Sequence, residues 1–318
     1  MTQIPRKIAV IGAGDIGCGW SALCVTAGWP VTIFDTNAKA IDRASEQIPA
    51  RARALVALDR APAGQVERGL KELRHARSLL QAVNEADWII EAISEDLFAK
   101  QRLLGAIQDV AGADALVTSS SSGLSPHDIF GRMTSAHRTL VVHPLNPPEL
   151  IPLVEVVPSP RTDPSAIARA SDYLRQLGRM PIVLKKAVPG YVVGRIAAAV
   201  WRECIDLVLQ GVITVEDLDR AVSLGPALGW AAAGPHLTYH LASGDGGVNR
   251  FLQHLLGAFE GWWGELAKWQ KLEPEQQKEL IHAIEKAYSG KVELLRDARD
   301  RRLSAILKGL EGSRSTPG

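Results

Sequence analysis

The chain has 318 residues, of which 46% are hydrophobic and 22% charged, with a formal net charge of +1 at neutral pH. That length allows one large domain or two ordinary ones around a sizeable core, in a composition typical of soluble globular proteins. So even a charge excludes the footprint of a nucleic-acid or membrane-surface partner, and no window reaches the ~18 apolar residues that span a bilayer.

The first residues, MTQIPRKIAVIG, lack the cleavage pattern of a signal peptide and lead straight into glycines. The apolar run IAVI predicts a strand. It is followed by Gly12, Gly14 and Gly17 in a G-x-G-x-x-G pattern that opens a helix running to about Gly28. A second strand, VTIF, ends in Asp35, 23 residues after Gly12. Such a turn needs one glycine for its tightness, one for backbone approach to a pyrophosphate, and one for helix–strand packing. Asp15 and Ile16 sit in the same turn, where helix N-terminal N–H groups can meet phosphate. A carboxylate at Asp35 accepts from ribose hydroxyls and repels a 2′-phosphate. Thr36 and Asn37 follow without an immediate arginine, so the pattern favours NAD over NADP. Cys18, inside the turn, reads as a small packing residue rather than a redox switch.

Further β-rich runs follow at residues 86–93, 115–120, 138–144, 150–157 and 180–186, with helical stretches between them. Strands alternating with helices imply βαβ units and a mainly parallel sheet. Three segments in this region carry candidate chemistry. In EAISEDLFAK, Glu95 or Asp96 can cap a helix, and Lys100 can be solvated or functional. In TSSSSGLSP, four serines end a strand where α/β sheets bind ligands, with Ser125 placed to cap the next helix. In HPLNPPELIPLVEVV, His143 ends a strand and Asn146 lies in a proline-stiffened turn. Glu155 sits inside the apolar run LVEVV, where a buried carboxylate needs a partner. An imidazole is a natural one, since a carboxylate fixes its tautomer and raises its basicity. No metal-ligand spacing is present.

After Gly190 the strand signals stop. Helices are predicted over residues 191–211, 214–223, about 249–272, 274–288 and 292–310. The fold class is therefore α/β, a Rossmann-type doubly wound sheet over residues 1–188, followed by an all-α domain over 189–318. The helical part holds Trp262, Trp263 and Trp269, which either fill its own core or meet a twofold partner. The basic stretch 296–302 is interrupted by aspartates and reads as a solvated helix face. The tail 312–318 is small and polar and is expected to be disordered. Three cysteines in no spaced framework suit a reducing cytoplasm.

The segments HPLNPPELIPLVEVVPSP, SSSSGLSP, EAISEDLFAK, GPALGWAAAGP and RDARDRRLSAILK resemble the 3-hydroxyacyl-CoA dehydrogenase superfamily. Within it the chain looks most like the lambda-crystallin/L-gulonate 3-dehydrogenase group, with the L-carnitine dehydrogenases near by. The resemblance implies that His143 is the general acid/base and Glu155 its partner. It also implies that Ser122 and Asn146 hold the substrate oxygen and nicotinamide region, that Glu95 and Lys100 line the cofactor, and that Asp35 binds the adenosine ribose. It further implies NAD as cofactor, a small-molecule substrate held between two domains, and a homodimer formed through the helical domain. Two positions depart from the pattern. Gly194 stands where the family usually has asparagine or aspartate, and Gly229 where relatives binding a free carboxylate usually have arginine. Trp230, Tyr239 and nearby alanines suggest a roomier, more apolar pocket. The expected activity is NAD-dependent oxidation or reduction at C3 of a small acid. The alternatives are a CoA thioester, with Arg51, Arg53 and Arg60 serving its phosphates, an aromatic or polyketide-derived keto acid, and a non-catalytic crystallin-like or NAD-sensing protein.

Overall fold

A computed structural model describes residue 5 and residues 7–312. The first residues of the chain and the polar tail beyond Gly312 lie outside the described residues. Two compact units divide after Gly194.

The first unit is built on strands β1 (Ile8–Ile11), β2 (Val31–Phe34), β3 (Leu73–His75), β4 (Trp88–Glu91), β5 (Leu116–Ser119), β6 (Thr139–Pro144), β7 (Leu153–Pro158) and β8 (Met180–Val183). They form one sheet in the order β3-β2-β1-β4-β5-β6-β7-β8. Every neighbouring pair is parallel except β6 and β7, which are antiparallel. The helices of this unit are α1 (Asp15–Thr26), α2 (Ala38–Ala57), α3 (Ala63–Lys71), α4 (Leu79–Val83), α5 (Leu97–Val110), α6 (Pro126–Phe130) and α7 (Pro164–Gln176).

The central strands are continuous apolar runs because both of their faces are covered. Ile8 and Val10 of β1 pack with Trp20, Trp88 and Leu174 on one side, while Ala9 and Ile11 pack with Leu104, Ile107 and Phe130 on the other. The edges differ. β3 is only three residues long, and β8 exposes Met180 and Val183. β3 was not among the strands expected from sequence, since LRH has no apolar run to mark it.

The second unit is helical, with α8 (Val193–Leu209) leading into it, then α9 (Val215–Leu224), α10 (Pro226–Leu241), α11 (Gly247–Glu265), α12 (Pro274–Ala287) and α13 (Val292–Gly312). The side chain of Thr214 caps α9 by accepting from Asp217 N–H at 3.2 Å. Helix α10 was not expected as an element. Its Gly229, Gly234 and Pro235 read as breakers, and the helix does kink at Gly234, where φ is 74°. Trp262 and Trp263 are 59% and 55% exposed, so they do not fill the core of their own unit. Trp269 is half-buried and donates its indole N–H to Asp206 at 2.9 Å. Tyr239 stacks on Phe251 with ring centroids 5.0 Å apart. Among the described residues, no helix is long and apolar enough to cross a membrane.

Candidate active site

In an open parallel sheet, ligands bind at the carboxyl edge, beside the point where strand order reverses. Here that point lies between β1 and β4. The Gly12–Gly17 turn follows β1, Asp35 follows β2, Glu95 follows β4, the serine loop follows β5, and His143 lies near the end of β6. Parallel pairing puts all of them at one edge.

The glycine turn is set by contact. A Cβ on Gly12, whose φ is +112°, would lie 2.4 Å from the Ala92 carbonyl oxygen, and one on Gly17 would lie 1.9 Å from the Gly12 carbonyl oxygen. Gly14 has nothing within 4 Å, so its face is open. It is also the N-cap of α1 and supplies no side chain to the first-turn N–H groups. Open space before uncapped N–H groups fits a diphosphate. Asp15 begins α1 and pairs with Arg51 at 2.6 Å. Ile16 is half-buried against the core. Cys18 is fully buried, its thiol lies 3.6 Å from the Ala13 carbonyl, and burial pushes its pKa up to about 11. That is the environment of a packing residue.

Asp35 accepts from Ala13 N–H and Asn37 N–H, both at 2.8 Å, and so ties the glycine turn to the end of β2. A groove of about 660 Å³ runs past Gly12, Gly14, Asp35 and Asn37 to Ala92–Ser94. Arg43 and Arg102 also line it. Sequence reasoning looked for an arginine immediately after Asp35 and overlooked Arg43, which α2 brings back to the groove one turn later.

The turn after β4 differs in detail from expectation. Asp96, not Glu95, caps α5 by accepting from Ala99 N–H at 2.7 Å. Glu95 instead accepts the Ser121 hydroxyl and the Ser122 and Gly123 N–H groups, at 2.9 Å and 3.2 Å for the two amides. Lys100 does not line the groove. It is 1% exposed and pairs with Glu91 at 2.8 Å. Sequence reasoning had not singled out Glu91. Ser125 occupies the N-cap position of α6, but its hydroxyl makes no cap bond.

His143 and Glu155 face each other directly across the antiparallel β6–β7 pair. Imidazole Nδ1 lies 2.8 Å from Glu155 Oε2, with His143 7% and Glu155 0% exposed. The other carboxylate oxygen accepts from Val192 and Val193 N–H at 2.9 and 3.1 Å, where α8 begins. Beside the imidazole stands Tyr191, with ring centroids 5.5 Å apart. Tyr191 is fully buried in a left-handed conformation with φ of 49°, and it donates its hydroxyl to the Leu124 carbonyl at 2.7 Å. Burial drives its pKa well above the usual phenol value. A bulky residue at positive φ is uncommon and persists only where its surroundings hold it. Its only sequence signal was the preceding Pro189-Gly190. Ser122 and Asn146 are exposed at the ends of β5 and β6, and neither contacts His143. The Asn146–Pro147 bond is cis.

Two of the three arginines named for a CoA-phosphate groove are engaged in ion pairs. Arg51 bridges Asp15 and Glu149, and Arg53 pairs with Glu67 at 2.9 Å. No cluster of metal-ligating side chains occurs among the described residues.

The model for the 3-hydroxyacyl-CoA dehydrogenase NAD-binding domain matches residues 7–187, and the model for its C-terminal domain matches residues 190–282. The chain belongs to the 3-hydroxyacyl-CoA dehydrogenase family. It is an NAD-dependent oxidoreductase acting on a CH–OH group. Among curated relatives, an L-carnitine dehydrogenase of Streptomyces coelicolor is 36% identical over 88% of this chain and 85% of its own length. An L-carnitine dehydrogenase of Pseudomonas putida is 33% identical over 100% of this chain and 98% of its own. Among solved structures, 5-formyl-3-hydroxy-2-methylpyridine 4-carboxylic acid 5-dehydrogenase, described as an NAD+-dependent dismutase, superposes with a TM-score of 0.82. It is 29% identical, over 98% of this chain and 99% of that one.

Proposed function

We propose that the protein oxidises the 3-hydroxyl of a small free hydroxy acid of carnitine's kind, or reduces the matching ketone, with His143 as general acid/base. The observation that carries this reading is the His143–Glu155 pair, fixed by strand register at the sheet's carboxyl edge. Glu155 accepts from Nδ1–H, which leaves the Nε2 lone pair for the substrate. In oxidation, Nε2 takes the hydroxyl proton as the C3–H bond breaks, and Glu155 stabilises the imidazolium that forms. In reduction, the imidazolium returns that proton to the alkoxide oxygen. Bound NAD supplies the hydride acceptor. Ser122 and Asn146 are placed to hold the reacting oxygen and the carboxamide. Gly12, Gly14, Asp15, Ile16 and Gly17 hold the diphosphate, Asp35 the ribose, and Glu95 and Lys100 shape the turn between them.

Carnitine combines a 3-hydroxy acid with a permanent cation, and two changes bear on whether it is the substrate. Gly194 and Gly229 each have open space beside them, with nothing within 4 Å of a built Cβ. The asparagine or aspartate and the arginine that the family resemblance implies at these positions are absent, and no neighbour takes up the space next to either backbone. Without an arginine at 229 the bidentate carboxylate clamp is gone. A second reading, an aromatic or heteroaromatic acid, draws support from the TM-score of 0.82 to an enzyme named for a pyridine carboxylic acid. The deciding experiment follows NADH at 340 nm with NAD and a panel of carnitine, gulonate, simple 3-hydroxy acids, pyridine and benzene hydroxymethyl acids, and acyl-CoAs. Turnover of free acids supports the proposal. Turnover confined to CoA thioesters overturns it.

The protein is also proposed to work in the cytoplasm as a homodimer joined through the helical unit. Leu237, Leu241, Leu252 and Leu255 are exposed on α10 and α11 together with Trp262 and Trp263. An apolar surface of that extent is costly in water and suits a self-complementary contact. Light scattering on the wild type and on Leu252→Glu checks it. A wild-type monomer would sink the dimer.

A further inference from the structure

Glu91 ends β4, is fully buried, and has no part in the acid–base chemistry above. The two residues before it, Ile89 and Ile90, show what the sheet needs there, and a carboxylate is costly unless several partners offset it. Its partners lie in the turn after β4, in the first turn of α5 and at the end of β5. Oε1 accepts from Ile93 N–H and from Lys100 Nζ, both at 2.8 Å. Oε2 accepts the Ser119 hydroxyl, whose oxygen in turn accepts from Ser121 N–H at 3.2 Å. Lys100 Nζ also donates to the Ile93 carbonyl at 3.2 Å and stands 3.6 Å from Glu95 Oε2. One carboxylate therefore ties the turn after β4 to the turn after β5.

Both turns matter to the coenzyme. Ala92–Ser94 walls the groove, and the Ala92 carbonyl is the atom against which Gly12 is pressed. The Ser121–Gly123 stretch, held by Glu95, leads to Leu124, whose carbonyl receives Tyr191 beside His143. The network thus runs from the groove wall to the general base, the interval in which a hydride must pass. Its two carboxylates and one ammonium leave one negative charge in excess, with Glu91 and Lys100 buried and the Glu95 side chain 42% exposed. The groove's arginines, Arg43 and Arg102, are exposed and screened by solvent.

We propose that Glu91 is a positioning residue for the coenzyme, which sets the groove wall through Ile93 and Lys100 and, by its charge, favours the oxidised over the reduced nicotinamide. The oxidised ring is a cation and the reduced ring is neutral, so a buried anion discriminates between them where a purely structural tie does not. This rests on the groove being the NAD site. Titration of the wild type checks that separately, because a wild type that binds neither form removes the groove itself.

The test is calorimetric titration of NAD+ and NADH into the wild type, Ser119→Ala and Glu91→Gln, with melting curves alongside. Ser119→Ala cuts one tie and keeps the charge, and it is expected to weaken both forms by the same factor, about threefold. Glu91→Gln keeps the shape and removes the charge, and it is expected to weaken NAD+ about tenfold and NADH no more than about threefold. Equal weakening of the two forms by Glu91→Gln, or unchanged binding in both variants, overturns the proposal. If Glu91→Gln does not fold, the pair Glu91→Gln with Lys100→Met decides, because it removes both buried charges and leaves Glu95. Weaker binding at the wild-type NAD+/NADH ratio supports the proposal, and unchanged binding overturns it.

Discussion

At the scale of single residues, the acid–base pair and the coenzyme site make separable demands. His143→Gln is expected to lower kcat by about 10²–10⁴ while the NAD dissociation constant, read by calorimetry, stays close to that of the wild type. Asp35→Ser removes the carboxylate that excludes a 2′-phosphate while Arg43 still lines the groove. The ratio of NADP to NAD use should then rise by about tenfold or more in steady-state assays. Cys18 and Cys24 are buried with raised pKa values, while Cys204 is half-buried. Mass spectrometry of the native protein after brief iodoacetamide treatment should find Cys204 labelled first. The pairing of His143 with Glu155 was suggested in sequence because a charged residue inside LVEVV needs a buried partner and an imidazole is a natural one. Glu91 carries the same signal in WIIEAI but sits at a strand end, where an acid is unremarkable. Tyr191 was hidden for a different reason. Its importance lies in its backbone conformation and in a hydroxyl that reaches 67 residues back along the chain, and neither leaves a local pattern.

At the scale of elements, the glycine turn offers a contrast between two residues of one motif. Gly17→Ala places a Cβ against a backbone oxygen that cannot move aside, so melting should fall by several degrees, from a cost of about 2 kcal/mol or more. Gly14→Ala meets nothing in the protein, so its melting point should hold while NAD affinity falls, since the methyl takes space meant for the diphosphate. If both variants melted and bound alike, the division between a packing glycine and a ligand-approach glycine would be wrong. Most of the sheet was legible because strands covered on both faces must be apolar throughout. What escaped were elements whose cause is tertiary. β3 is a short edge whose pairing with β2 supplies its structure. Helix α10 survives two glycines and an internal proline by bending at Gly234 rather than ending.

For the whole molecule, buried protonated thiols give stability a direction with pH. In the unfolded chain the Cys18 thiol ionises at its ordinary value, whereas in the folded chain burial holds its proton to about 11. Between those values the folded state binds more protons than the unfolded one, so stability falls as pH rises. Cys24 acts in the same sense. Differential scanning calorimetry should show the melting temperature dropping by roughly 3 °C or more between pH 9 and 11, with a smaller drop in Cys18→Ala.

The antiparallel hairpin of β6 and β7 has a consequence for how this protein tolerates a slip between strands. Because base and acid face each other across neighbouring strands, their meeting depends on register and not on the length of the stretch 145–152, which is itself held by the buried Pro147, Pro148, Glu149 and Leu150. A one-residue slip of β7 against β6 turns its side chains to the opposite face of the sheet and carries the carboxylate away from the ring. A one-residue slip in the strand should therefore leave a protein that still binds coenzyme but turns over nothing.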